Sequence, residues 1–217
     1  MQLNNKVKEQ MATLSEFGNI PIDYAVLESL FLDYKSKYCK IGALEKMGKI
    51  IRLKRGMYVV APKESGKLLS LELIANHIYG PSYVSRETAL RYYGLIPETV
   101  YLNRSMTTKH SRTFKNSIGQ FEYTECSKAY FPIGIRQEIK DTTSFLIASQ
   151  EKALCDLICY NTGLILRFQK DIQTYLEEDI RLDMDAFYKM DVSVFERCVE
   201  VCRKPAIIRN LIKILKK

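Results

Sequence analysis

Four cysteines stand in two equally spaced pairs, Cys155 with Cys159 and Cys198 with Cys202. A separation of four puts both members of a pair on one face of a helix, and two such faces could offer four sulfurs to a zinc ion. The neighbours support a plainer role. Leu154, Leu157 and Ile158 flank one pair and Phe195 and Val199 the other, and reduced cysteine in such company is a small core residue. The short knuckle spacing of structural zinc sites is also missing. A second pattern, Asp183-Met184-Asp185, has the carboxylate spacing of a nucleotidyltransferase, but the stretch before it contains no Gly-Ser turn. A metal there would lack its phosphate cradle. Of the two histidines, His77 lies beside Ile74 and Ile78 and His110 lies in a polar loop. There is no glycine-rich phosphate loop, HExxH or GxSxG, so no catalytic set, metal site or cofactor is expected. The alternative left open is a metal-dependent nuclease, since basic surface and scattered carboxylates are compatible with phosphodiester cleavage.

The cations show a clearer pattern. From Lys35 to Val60 the chain reads KSKYCKIGALEKMGKIIRLKRGMYVV, in which Lys35, Lys37, Lys40, Lys46, Lys49, Arg52, Lys54 and Arg55 face one acid, Glu45. Ile41, Leu44 and Met47 recur at helical spacing and Gly48 suits a helix end. Ile50, Ile51, Leu53 and the run Met57 to Val60 then predict a hairpin turning at Arg55-Gly56. A basic helix followed by a basic wing is what a winged helix-turn-helix uses: the helix enters the major groove and the wing grips phosphate. A merely solvated basic face would carry the same charges, but the order helix, helix, basic helix, basic hairpin favours DNA. The predicted DNA contacts are those eight cations with Ser36 and Tyr38, and base reading is expected from Ser36, Lys37, Tyr38 and Lys40.

These residues need elements to position them. Leu3, Val7, Met11, Leu14 and Phe17 form one helical stripe, and Pro21 is expected to open a second helix carrying Ile22, Val26, Leu30 and Phe31. The polar PKESGK stretch, Pro62 to Lys67, reads as a joint, dividing the chain into a DNA-binding domain at 1–62 and a second domain at 68–217. Ser70 and Ser85 are predicted to cap helices through Tyr79 and Tyr93, and Ser149 a helix through Tyr160. Between Thr99 and Ile147 the period changes. Val100 to Leu102, Arg112 to Phe114, Phe121 to Thr124 and Tyr130 to Ile135 read as strands of a small antiparallel sheet. About three more helices follow, the last opened by Pro205. The fold class is therefore α+β, a winged helix-turn-helix followed by a larger α+β domain with a helical C-terminal end.

At 217 residues the chain is long enough for two such domains, and its net charge of +8 is unevenly placed. Acids dominate from Asp171 to Glu200, whereas Arg203 to Lys217 contains no acid and mixes cations with Ile207, Ile208, Leu211, Ile212, Ile214 and Leu215. That tail reads as an amphipathic basic helix. Arg86 and Arg91, expected to point outward, and Arg203, Lys204, Arg209 and Lys213 are candidates for a further partner or nucleic-acid surface. No apolar run approaches the length of a membrane span and Met1 to Lys6 lacks an export signal, so a cytoplasmic protein without membrane contact is expected.

Three stretches together resemble one family. Tyr83-Val84-Ser85-Arg86-Glu87-Thr88-Ala89-Leu90-Arg91-Tyr92-Tyr93-Gly94-Leu95-Ile96-Pro97-Glu98, the Leu53 to Tyr58 wing, and Ile147 to Leu157 (IASQEKALCDL) are similar to the AbiEi-type antitoxins of type IV abortive-infection toxin-antitoxin systems. The resemblance covers the chain to about Tyr160 and leaves the part beyond Leu164 unmatched. It implies a winged helix that represses its own operon, and because one such head contacts a short half-site, paired heads on promoter DNA with inverted repeats are expected. It also implies a C-terminal antitoxin domain that counters a nucleotidyltransferase-like toxin encoded beside it, directly or indirectly. A plain DNA-binding regulator without a toxin partner is the other alternative.

Overall fold

The computed structural model describes residues 13–97, 102–140 and 143–216. A helical turn at 13–16 leads to β1 (Ile22–Asp23), α1 (Tyr24–Ser29), α2 (Lys37–Lys46), β2 (Ile50–Lys54), β3 (Met57–Val60) and the single-turn α3 (Pro62–Ser65). Then come α4 (Leu71–Ile78), β4 (Ser82–Val84), α5 (Arg86–Tyr92), β5 (Leu102–Thr107), β6 (Arg112–Lys115), β7 (Gln120–Glu125), β8 (Ile135–Lys140) and β9 (Thr143–Ala148). The remainder is helical: α6 (Gln150–Cys159), α7 (Gln169–Thr174) continuing into a π-helical turn (Tyr175–Asp179), α8 (Met184–Phe187), α9 (Val192–Val201) and α10 (Pro205–Leu215).

The class is α+β, with two sheets. The first is a three-stranded antiparallel sheet ordered β1-β3-β2. The second has six strands ordered β6-β7-β5-β4-β9-β8 and is mixed rather than antiparallel, because β5 pairs β7 and β4 pairs β9 in parallel. Parallel neighbours need a long connection. The one between β4 and β9 spans α5 and four other strands.

Several expected boundaries shift for local reasons. Pro21 precedes a strand instead of opening a helix, because the backbone of Ile22–Asp23 pairs with Tyr58–Met57 and α1 starts only at Tyr24. Tyr130 to Gly134 is turn, since Pro132 lacks a backbone donor and Gly134 has φ 63°, and the strand starts at Ile135. Part of the expected joint is the helical turn α3, whose Glu64 meets Lys49 at 3.5 Å. Most of the expected Leu3–Phe17 helix lies outside the described residues, as do Val100 and Tyr101.

Buried apolar residues form two clusters. Leu14, Ile22, Leu27, Phe31, Ile41, Leu44, Ile50, Tyr58 and Val60 make the smaller one, and the larger occupies the six-stranded sheet and its helices. The hairpin belongs to both. Successive side chains of a strand face opposite ways, and along β3 Tyr58 and Val60 enter the smaller cluster while Met57 and Val59, with Leu53 of β2, enter the larger. This accounts for a β3 that is apolar at every position instead of alternating, as in strands covered on both faces.

Candidate functional site

Ser36 ends the approach to α2 and its hydroxyl accepts a hydrogen bond from the Cys39 backbone N–H (3.4 Å), satisfying one of the donors left free at a helix start. Ile41 and Leu44 anchor the helix in the smaller core. Met47, predicted on the same stripe, is 58% exposed, because α2 has ended at Lys46 and the chain turns through Gly48 at φ 69°. The outward face of α2 is therefore Tyr38, Cys39, Gly42, Ala43 and Lys46. A groove of about 640 Å³ separates this face from the hairpin, with Arg52 and Tyr58 on the opposite wall.

The predicted cations divide into two groups. Lys35, Lys46 and Arg55 are exposed, as is Arg52, which nonetheless has a partner. Lys37 lies 3.9 Å from Glu28, and the Lys40 ammonium sits 4.6 Å over the Tyr34 ring. Lys49 faces Glu64, and Lys54 donates to the Ile78 carbonyl at 2.7 Å. Arg52 meets Glu45 at 2.5 Å with its guanidinium 5.5 Å from the centre of the Tyr58 ring; the Glu45 hydrogen bond holds its pKa above the ordinary value. Of the four residues expected to read bases, Ser36 caps the helix, and Lys37 and Lys40 have partners on the preceding helix and turn. Tyr38 alone of them shares the open face, 71% exposed. Cys39, Gly42 and Ala43 escape a search for polar side chains. Their signal is smallness at positions 39, 42 and 43, one helical face apart from the apolar stripe.

The candidates outside this region are placed differently. Arg86, expected to point outward, is 7% exposed and has φ 56°, an uncommon conformation for a residue with a side chain. Its guanidinium lies 3.5 Å from Glu122 and 3.7 Å from Glu87, and Arg104 pairs with the same two carboxylates. Two cations and two anions offset each other, so this cluster is no basic surface. Arg91 is exposed, with a guanidinium nitrogen 3.4 Å from the Pro97 carbonyl. Lys204 donates to the carbonyls of Asn161 (2.7 Å) and Leu164 (3.0 Å), fastening the loop after α6, and Arg203 stacks 4.8 Å over Tyr160. Arg209 and Lys213, four apart on α10, are exposed, opposite the buried Ile208, Leu211, Ile214 and Leu215.

A buried polar centre joins the other two motif stretches. Asp156 on α6 accepts hydrogen bonds from the hydroxyls of Ser85 (2.6 Å) and Tyr83 (3.0 Å), and Lys152 lies 3.4 Å from its second oxygen. Lys152 also donates to the Tyr130 carbonyl (3.0 Å) and lies against the Tyr130 ring. Ser85, expected to cap α5, sends its hydroxyl to Asp156 and makes no side-chain cap. The Lys152–Asp156 spacing is the i,i+4 spacing anticipated for surface electrostatics, yet both side chains are fully buried. Burial and the Asp156 charge push the Tyr83 hydroxyl far above the ordinary tyrosine range. With every member sealed from solvent, this centre fixes β4 to α6.

Cys155 of α6 faces Cys198 of α9, and Cys159 faces Cys202 at the end of α9, all as free thiols. Hydrogen bonding from Cys159 lowers the Cys202 thiol to about 7. Among the described residues, no three His, Cys, Asp or Glu side chains converge to hold a metal ion. Asp183 accepts from the Ala186 N–H as the cap of α8. No helix among these residues is long and apolar enough to cross a membrane. Neither a scan of protein-family models nor a search of curated proteins finds a match to the chain.

Proposed function

We propose that the chain is the antitoxin of a type IV toxin-antitoxin pair, that it binds promoter DNA through α2 and the β2–β3 hairpin acting as a winged helix-turn-helix, and that it is not an enzyme. The observation that carries the DNA reading is the open face of α2, where Cys39, Gly42 and Ala43 are small and Tyr38 and Lys46 stand at the two ends. Small side chains let a helix backbone approach base edges closely, while Lys35, Lys46 and Arg55, all exposed, supply charge for phosphates. One such head covers a short half-site, so paired heads on an inverted repeat upstream of the operon are the natural target.

The antitoxin part of the reading is supported by the family resemblance, whose two further motif stretches coincide with the residues that build the buried Ser85–Asp156–Lys152 centre. Residues 68–217 are assigned the task of countering a nucleotidyltransferase-like toxin encoded alongside, directly or indirectly, in the cytoplasm.

Titrating the full chain with a duplex from upstream of its own coding sequence tests the first half. Log affinity should fall linearly with log salt with a slope of about −0.9 per phosphate neutralised, hence about −2.7 if Lys35, Lys46 and Arg55 are all engaged. A footprint should protect two half-sites. Salt-independent binding, or one isolated asymmetric site, would overturn it. Co-expression of the full chain with the neighbouring toxin should restore growth; persistent toxicity would leave a regulator alone.

A further inference from the structure

The groove between α2 and the hairpin does not stop at the hairpin. A second groove, of about 520 Å³, adjoins it, with Glu45 and Arg52 lining both. Its far wall comes from the six-stranded sheet: Lys115, Asn116 and Ser117, at the turn between β6 and β7. This turn is fixed to the hairpin. Asn116 donates from its amide nitrogen to the Leu53 carbonyl (2.9 Å), across 63 residues of sequence. The amide oxygen of Asn116 accepts from the backbone N–H groups of Ile118 (2.9 Å) and Gly119 (3.2 Å), and its own N–H donates to the Gly119 carbonyl (3.1 Å). One side chain thus sets the shape of the turn and its position beside β2.

The charges around this groove are one-sided. Arg52, Lys54, Arg55 and Lys115 line it against a single carboxylate, Glu45, which Arg52 already holds at 2.5 Å. Lys54 gives its ammonium to the Ile78 carbonyl, whereas Arg55 on the hairpin and Lys115 on the turn are both exposed. Two exposed cations on opposite walls of an open groove, continuous with the open face of α2, suit a polyanion that runs along the groove better than a single anion within it.

We infer that Lys115, held by the Asn116 turn, is a phosphate contact on the same duplex that α2 and the hairpin engage, so that the six-stranded sheet takes part in DNA binding. This rests on the DNA reading proposed above. A phosphate contact made by Lys115 is independent of base sequence, so its loss weakens binding to cognate and unrelated duplexes alike.

The test is a salt titration of the full chain against two 40-base-pair duplexes, one from upstream of its coding sequence and one of scrambled sequence. Lys115→Ala should reduce the slope of log affinity against log salt by about 0.9 on both, equivalent to a loss of about eightfold at 0.1 M salt, and Lys115→Glu should lose more. Lys115→Arg, which retains the charge, should keep the wild-type slope; loss of binding in this variant as well would point to damage to the turn and overturn the charge role. Lys128→Ala, also exposed but beyond the other end of β7, should match the wild type. If the wild type binds with a steep slope and Lys115→Ala and Lys115→Glu do the same, the inference falls and the DNA reading stands. If the wild type shows no salt-dependent binding to either duplex, both fall.

Discussion

Lys152 is the residue whose environment departs furthest from what its type suggests. A lysine fully removed from water must have its charge compensated, and here Asp156, the Tyr130 carbonyl and the Tyr130 ring share that task. Replacing Lys152 with Met, close in length and uncharged, strands Asp156 with only the Tyr83 and Ser85 hydroxyls. Removing one partner of a buried ion pair destabilises by about 3–5 kcal/mol. Urea unfolding of Lys152→Met should show that loss, whereas Lys37→Ala, which breaks a half-exposed contact with Glu28, should change stability by less than about 1 kcal/mol. A loss under about 1 kcal/mol in Lys152→Met would mean that the pair contributes nothing net. Both residues sit in a helix whose spacing was readable, but their burial was not. Local period tells which residues share a face, and only the packing of α5 and α9 on α6 decides that nine of the ten positions of that helix are covered. Arg86 was misread for the same reason: its neutralising carboxylate Glu122 comes from β7, 36 residues further on.

At the scale of elements, short-range signals were legible and long-range pairing was not. The basic helix, its Gly48 terminus, the hairpin at Arg55-Gly56, the Ser70 and Ser149 caps and the Pro205 start of α10 all follow from residues within one turn of each other. The short β4 and the exposed β8 carry little local signal, and no turn chemistry announces the parallel pairs β5–β7 and β4–β9. In α2 the informative residue is a glycine. Gly42 is helical, and a Cβ added there would meet nothing within 4 Å. Gly42→Ala should therefore raise stability by about 0.5–1 kcal/mol, the usual advantage of alanine within a helix. The same methyl would stand on the groove wall beside Tyr38 and Lys46. A higher thermal midpoint with weaker binding to the cognate duplex is the expected pair of results. Higher stability with unchanged affinity would remove Gly42 from the interface.

For the molecule as a whole, the decisive feature is that one hairpin is core to both clusters. Leu53 is buried in the larger cluster although it lies on the strand beside Arg52 and Lys54. Leu53→Ala should cost about 2–5 kcal/mol through the cavity it leaves. Hydrogen exchange followed by mass spectrometry should then show protection lost both in α2 and in α4, because each packs on β2. Loss confined to α4 would mean that the two clusters unfold separately. The shared hairpin also sets a timetable during synthesis. When Val60 leaves the ribosome, α4, the helix that packs on β2 and shares the larger cluster with Leu53, Met57 and Val59, has yet to be made, and it ends at Ile78. At about 5–20 residues per second, those apolar side chains wait roughly 1–4 s for that helix. On the proposed reading, the hairpin that grips DNA finishes burying its second face only after the first helix of the domain assigned to the toxin has been translated.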